Sequence, residues 1–346
     1  MTFPGENNST ENPRAPVLEV FLAFLRLGCT SFGGPIAHLS YFQRELVERR
    51  KWCSSNTLAE IIALAQSLPG PASSQVSFAL GILRAGLPGG LAAWLGFTLP
   101  SAILMLTFAL AIESLSSTLS AERWQGALHG LQLVAVAVIA QAILSMRRTL
   151  APDLIRVAFA LLAAALVLFV PVSYVTLIAI AVAGSAGLLL FQNRPQPAFE
   201  PLPRLLPKST GIAAASLFVA LLLLSAVLTF IPATRPGPLA VFSAFYRAGA
   251  LVFGGGHVVL PLLQNTVVAP GWVTLQSFLS GYGAAQALPG PLFSFAAYLG
   301  ALTHPAATPS ASPILYGVLA LIGLFAPRPA RDRCRAPLLV RPARQP

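Results

Sequence analysis

Apolar positions in this chain do not alternate with polar ones; they run together. Uncharged stretches cover residues 85–112, 124–146, 172–193 and 209–234. A helix needs about 20 apolar residues to cross a hydrocarbon layer, so these stretches predict four membrane spans. A fifth span is expected over residues 154–170. It is shorter, and Arg156 near its end lengthens it by reaching the interface with its long stem. Pro171 separates it from the next span.

Two further apolar segments are interrupted. Residues 16–40 break at Gly33-Gly34-Pro35 and residues 58–83 at Pro69-Gly70-Pro71. Each half has roughly 11–13 residues, which at about 1.5 Å rise per residue reaches about half of a bilayer. Non-helical backbone at that depth is tolerated only where protein buries it or water lines it, so the breaks point to a substrate path.

The interrupted segments also recur. Phe21, Ala23, Phe24, Arg26, Gly28, Phe32, Gly33 and Gly34 return as Phe242, Ala244, Phe245, Arg247, Gly249, Phe253, Gly254 and Gly255. Trp52 returns as Trp272, and Ala65-Gln66 with Leu68-Pro69-Gly70-Pro71 as Ala285-Gln286 with Leu288-Pro289-Gly290-Pro291, one residue out of the earlier register. Two copies of a broken-helix unit are the mark of transporters that build their site at a repeat interface.

Basic residues orient the copies, because they collect in cytoplasmic loops. The loop after the first break carries Arg44, Arg49, Arg50 and Lys51, whereas its counterpart, Pro261 to Gln276, is uncharged. An odd number of spans between the copies gives the same answer, that they face opposite ways. The expected fold is thus an all-α polytopic membrane protein with two inverted repeats of broken (discontinuous) helices, the second repeat incomplete. Its expected parts are a polar tail (1–15), a first repeat (16–191), a cytoplasmic linker (192–210), a linking transmembrane helix (211–237), a truncated second repeat (238–326) and a basic Pro/Arg-rich tail (327–346).

Composition narrows the function. Of 346 residues 55% are hydrophobic and 10% charged, against about a quarter charged in soluble domains. No Asp, Glu, Lys or Arg occurs from Ala248 to Pro327. The net charge of +11 sits at the ends of apolar segments and in the tail, without the continuous basic face that nucleic acid requires. Cys29, Cys53 and Cys334 have no metal-ligand or redox spacing, so neither a metal site nor a disulfide framework is expected. The residues before Pro16 lack the layout of a cleaved signal and read as a retained tail. There is no phosphate loop, no His-Glu-x-x-His and no Gly-x-Ser-x-Gly, so neither ATP hydrolysis nor an enzyme is expected, and no cofactor.

The chemistry expected at the breaks is anion binding. Arg26 and Arg247 lie inside apolar segments at equivalent positions, and a guanidinium there offers an oxyanion a planar fork of donors; the bland alternative is helix-end arginines reaching lipid phosphate. Helix restarts after Gly34-Pro35 and after Pro71 aim unpaired N–H groups into the break. Ser73, Ser74 and Gln75 add donors in the first copy and Ser294 does so in the second. Gln66 and Gln286 precede the breaks Pro69-Gly70-Pro71 and Pro289-Gly290-Pro291, with roles in anion binding or in interhelical bonding. His38, His257 and Glu60 are candidates for carrying a coupling proton, against ordinary roles as core or interfacial residues.

At Phe32-Gly33-Gly34-Pro35, Arg49-Arg50-Lys51-Trp52, Gln66-Ser67-Leu68-Pro69-Gly70-Pro71 and Phe253-Gly254-Gly255-Gly256-His257 the chain resembles the chromate transporter family of the two-repeat type, from about residue 18 to about residue 326. The resemblance implies a multi-pass protein of the bacterial cytoplasmic (inner) membrane. It would export chromate by secondary active transport, draw on the proton motive force, and thereby confer chromate resistance. Sulfate, an isosteric dianion, stands as the alternative substrate; a membrane enzyme, a scaffolding subunit or an inactive paralogue are the other classes. The expected partners are the anion, the lipid bilayer, and a second copy or partner chain supplying spans. Two departures from the family stand out. Ala72 replaces the Glu that many members carry after the first Pro-Gly-Pro. The second copy ends in one apolar run, Pro313 to Ala326, before Arg328, Arg331, Arg333, Arg335, Arg341 and Arg344.

Overall fold

The computed structural model describes residues 16–118, 121–151, 153–170, 175–191, 208–228, 237–252, 259–303 and 312–326. Among these residues every regular element is a helix and none is a strand. The chain divides into two compact units, one drawn from Met1–Gln132 and Leu202–Pro346, the other from Leu133–Pro201.

The first unit opens with α1 (Val17–Thr30), whose inward face of Val20, Ala23, Phe24, Leu27 and Gly28 follows the three-to-four spacing of a packed helix. The chain stops being helical at Ser31 and resumes as α2 (Gly34–Phe42), which passes into a π-helical turn (Gln43–Arg49). Gly33 and Gly34 carry φ of 95° and 76°. Only glycine adopts such angles at low cost, which is why the paired glycines mark this interruption. Next comes α3 (Ser55–Ser67), started by the Ser54 hydroxyl accepting from the Thr57 amide at 3.1 Å.

The long helix α4 (Ala72–Thr118) is two limbs, because Ala85 and Gly86 leave helical geometry with φ/ψ of −140°/23° and 67°/−162°. Pro88 sits just after the reversal, where its missing N–H costs least. Gly81 and Gly89 bring the limbs into backbone contact, and a Cβ on either would collide with the other's carbonyl. The second limb packs on α1 in the same way: a Cβ at Gly28 would stand 2.7 Å from the Phe97 carbonyl, and one at Gly96 2.6 Å from that of Phe21. Around this seam Phe24, Phe42 and Phe97 meet edge to face, with centroids 5.7 and 5.2 Å apart.

The outer face of the second limb is as apolar as the inner one. Leu87, Leu91, Leu95, Leu99 and Ile103 form a stripe at i, i+4 spacing, each at least 41% exposed. A helix apolar on its packed and open faces alike is suited to lipid. Among the described residues Ala72–Ile112 is the stretch long and apolar enough to cross a membrane, with Leu154–Leu166, Gly211–Val227, Leu292–Leu302 and Pro313–Phe325 shorter apolar helices.

Beyond α4 the expected spans correspond to α5 (Ala121–Leu150), α6 (Leu154–Phe169), α7 (Val175–Phe191) and α8 (Lys208–Val227). The second unit holds the end of α5 with α6 and α7. Asp153 caps α6 by accepting from the Arg156 amide at 2.9 Å.

The second copy follows in the first unit as α9 (Pro238–Ala250), α10 (Val259–Val267), α11 (Leu275–Ala287), a 3-10 turn (Leu292–Ser294), α12 (Phe295–Leu302) and α13 (Pro313–Phe325). It reproduces local details of the first. Thr274 caps α11 by accepting from Ser277 N at 3.1 Å, as Ser54 caps α3. A Cβ at Gly323 would stand 2.6 Å from the Phe242 carbonyl, the same close approach that Gly96 makes to Phe21.

Candidate functional site

The two Pro-Gly-Pro turns are near replicas. Leu68 and Leu288 leave α3 and α11 with φ/ψ of −96°/150° and −92°/149°. Gly70 and Gly290 then take positive φ, 128° and 98°. Each glycine reaches across to the other copy: Gly70 N–H donates to the Val252 carbonyl at 2.7 Å, and Gly290 N–H donates to the Ser31 carbonyl at 2.9 Å. Ser31 and Val252 are equivalent, each directly preceding Phe-Gly-Gly. The exchange is therefore reciprocal, as at a two-fold contact where residue i meets j and j meets i.

Space at this contact is tight. A Cβ on Gly290 would lie 2.8 Å from Ser101 Oγ, 3.0 Å from Ser101 Cβ and 3.2 Å from the Gly28 carbonyl. The need for glycine in Pro289-Gly290-Pro291 thus comes from its angle and its neighbours together.

The other predicted site residues fall into three groups. Near the breaks, Ser73 and Ser74 are buried at the start of α4, and the Gln75 amide donates to the Pro69 carbonyl at 2.7 Å. Ser74 Oγ and Gln75 Oε1 are buried without partners. His38 is fully buried, its ring 5.2 Å from that of Phe97 and perpendicular to it. It lies beside the Ser31 backbone, yet neither ring nitrogen makes a hydrogen bond. Pro71 and Pro291 are buried.

A second group is engaged elsewhere or exposed. Arg247 Nη1 donates to the Ser225 carbonyl and ties α9 to α8, and Tyr246 Oη reinforces the pair by donating to the Phe218 carbonyl at 3.0 Å. Arg26 is exposed on α1. Gln66 is exposed, Glu60 half-exposed, and Gln286 donates to Tyr282 Oη at 2.6 Å. Ser294 Oγ turns back on the Pro291 carbonyl at 2.9 Å. The third group, Gly254, Gly255 and His257, lies outside the described residues.

Sequence reasoning missed Ser31, Thr98 and Ser101. Ser31 and Thr98 hold buried hydroxyls without partners, and Ser101 Oγ donates to the Thr98 carbonyl at 3.0 Å. A signal for Ser31 was present, since its counterpart Val252 is apolar. Thr98 was hidden because aligning α4 with α13 requires the Gly96–Gly323 equivalence, which only the packing reveals.

At one end of the first copy lies a charged cluster. Arg50 and Arg84 stand over the Trp52 ring at 5.7 and 5.6 Å, both 3.9 Å from Glu19 Oε1. Glu45 accepts from Arg50 Nε at 2.8 Å and from Arg49 at 3.0 Å. Desolvation alone would raise the Glu45 carboxyl, but the hydrogen bonds and charges of Arg50 and Arg49 outweigh it and hold the group below its usual 4.5.

Comparison with known proteins agrees with the repeat. The sequence pattern of the family described as Chromate transporter matches residues 18–188 and 239–329. The chain is 32% identical over 295 residues to the chromate transport protein of Pseudomonas aeruginosa, covering 82% of this chain and 65% of that protein. It is 32% identical to a probable chromate transport protein of Synechococcus elongatus, over 81% of this chain and 67% of the other. To the chromate transport protein of Cupriavidus metallidurans it is 27% identical, over 84% and 68%. The chain thus spans about two thirds of the length of these relatives. No solved structure matches it. A helical chain that one family pattern matches over residues 18–188 and 239–329 belongs to the chromate transporter family, whose members are multi-pass membrane proteins.

Proposed function

We propose that this protein takes part in secondary active export of chromate across the cytoplasmic membrane, with the anion held where the helices are interrupted. Membership of the family supplies the substrate class, and the reciprocal Gly70–Val252 and Gly290–Ser31 bonds carry the location. They join the interruptions in two pairs, each made between the copies, which supports a site at the interface between them. There the helix starts at Gly34 and Ala72 present backbone N–H groups and positive dipole ends, the arrangement that half-helices use to hold anionic substrates.

Opposite orientation of the copies follows from charge. The turn after α2 carries Arg44, Arg49, Arg50 and Lys51, while the turn after α10 is uncharged, which places the first inside and the second outside. Arg26 and Arg247 attract the anion toward the breaks and act as outer ligands. Sulfate shares the tetrahedral shape and charge of chromate and is the alternative cargo. A proton gradient is the coupling source, with His38, Glu60 and His257 as the carriers to test.

Everted membrane vesicles containing the protein should accumulate labelled chromate, lose that uptake with an uncoupler, and show competition by sulfate. Uptake of sulfate but not chromate would reassign the cargo, and uptake of neither would defeat the transport reading. In a background lacking Cys29, Cys53 and Cys334, a cysteine placed at Arg50 should react with an impermeant thiol reagent from the cytoplasmic side, and one at Asn265 from outside. Reaction from the same side would contradict the inverted repeat.

A further inference from the structure

The repeat provides an internal control for the buried polar groups around the breaks. In the first copy Ser31 Oγ, both nitrogens of His38, Ser74 Oγ and Thr98 Oγ1 are buried without partners, in residues no more than 2% exposed. Each unpaired buried group costs on the order of 1–3 kcal/mol, so four such residues in one region need a reason.

Structure alone does not provide it. The same backbone positions in the second copy are built without unpaired groups. Ser31 corresponds to Val252, and His38 corresponds to Val259, buried like it and one helical turn before Leu263 just as His38 precedes Phe42. Gly96 and Gly323 make the same approach to Phe21 and Phe242, which sets Thr98 against Phe325. Ser74 corresponds to Ser294, whose hydroxyl is satisfied by Pro291. One copy folds with apolar or paired residues where the other keeps unpaired donors.

Chain and packing draw the residues that carry these donors to one region. His38 lies beside the Ser31 backbone and against Phe97, next to Thr98. The Ser31 carbonyl holds Gly290, whose surroundings include Ser101, itself bonded to the Thr98 carbonyl. The antiparallel register that sets Gly81 against Gly89 brings Ser74 level with Gly96, two residues from Thr98. The starts of α2 and α4 add their backbone N–H groups.

We propose that Ser31, His38, Ser74 and Thr98 form a seat of uncharged donors for a tetrahedral dianion, and that the first copy alone carries it. This rests on the oxyanion reading above and deepens it. Hydroxyl, imidazole and backbone donors hold the dehydrated anion, while the arginines stay outside the seat. A chromate or sulfate ion offers four acceptor oxygens, which suits buried hydroxyls that make no hydrogen bond within the protein. Burial of the surroundings strengthens each bond.

The test is thermal unfolding of the purified 346-residue chain in detergent, titrated with sodium sulfate or sodium chromate at constant ionic strength, with chloride as control. A ligand that binds the folded state raises the midpoint in proportion to its occupancy. The wild type should show a saturable rise with a dianion and none with chloride. Thr98→Val and Ser31→Val should raise the half-saturating concentration about tenfold or more, as expected for losing a hydrogen bond to a charged group, and Thr98→Ser should restore it. Ser31→Val and His38→Val copy residues that the second repeat already tolerates, so these variants should fold, and their anion-free midpoint should equal or exceed that of wild type. Wild-type half-saturation in all three valine variants would overturn the seat alone. A lower anion-free midpoint with an unchanged anion response would overturn it in favour of structural water. Absence of any dianion response in the folded wild type would overturn the oxyanion reading and the seat with it.

Discussion

Substituting Gly290 by alanine tests the cross-copy contact directly. The backbone there has φ of 98°, and an L-residue in the left-handed region costs roughly 1–2 kcal/mol. The new methyl would also press on Ser101 Oγ at 2.8 Å, Ser101 Cβ at 3.0 Å and the Gly28 carbonyl at 3.2 Å. Overpacking of this kind adds about 1–3 kcal/mol. Gly34→Ala is the matched control, since Gly34 has φ of 76° but nothing within 4 Å of its Cβ direction. Gly290→Ala should therefore destabilise by about 2–5 kcal/mol and Gly34→Ala by about 1–2. The assay is equilibrium unfolding in mixed micelles, read by circular dichroism. The cycle is completed with Ser101→Gly, which removes the Cβ and Oγ nearest the new methyl. In that background much of the excess cost of Gly290→Ala should disappear. Equal effects of the two alanines, or no coupling to Ser101, would refute the claim that Gly290 is held close to the second limb of α4.

Other outcomes follow from the same geometry. Arg247→Gln should loosen α8 from α9, costing about 1.5–3 kcal/mol for the lost charged donor to the Ser225 carbonyl, whereas Arg26→Gln, exposed on α1, should leave unfolding within about 0.5 kcal/mol of wild type; both should slow transport in vesicles, and wild-type rates in either would remove that arginine from the anion path. Glu45 has a depressed folded-state pKa, so its stabilisation is full above the unfolded value and is lost as pH falls through the folded one. Glu45→Gln should flatten that acid part of the stability profile, and an unchanged acid limb in the unfolding midpoint would count against the Arg49–Glu45–Arg50 cluster.

What the sequence disclosed was mostly backbone punctuation. Gly33-Gly34 and the two Pro-Gly-Pro turns interrupt helices because their allowed angles leave little choice, and the interruptions fall where those residues stand. The reversal in α4 was legible as a boundary at Arg84. Its mechanism was not, because the facing of Gly81 with Gly89 is set by distance in space. Side-chain destinations were harder still. Arg247 looks like an anion ligand by its isolation in an apolar run, yet its guanidinium reaches the carbonyl of Ser225, 22 positions away. Any residue could have offered that carbonyl, so no pattern of residue types announces it. His38 was singled out for its chemistry and paired loosely with His257. The buried rhythm of α2 and α10 aligns it with Val259, and only that alignment shows how unusual an unpaired imidazole is at the position.

The reciprocal bonds bear on how such a site would open. In a molecule that works by rotating one copy against the other, displacement is smallest on the local axis and grows with distance from it. Gly70–Val252 and Gly290–Ser31 are exchanged between the copies, and both are backbone bonds from glycines flanked by prolines. They suit a pivot better than a gate. A gate belongs farther out, where motion is large and contacts are individually weak. The Glu19, Arg50 and Arg84 group has this character: its two longer ion pairs stand at 3.9 Å and are partly exposed, and such pairs are worth at most about 1 kcal/mol each. In the second copy Ala240 and Pro270 occupy the places of Glu19 and Arg50, the latter counted from the Trp52–Trp272 equivalence. A device at one end only would make the two directions of opening unequal in cost, and so distinguish two copies whose backbone bonds at the pivot are alike.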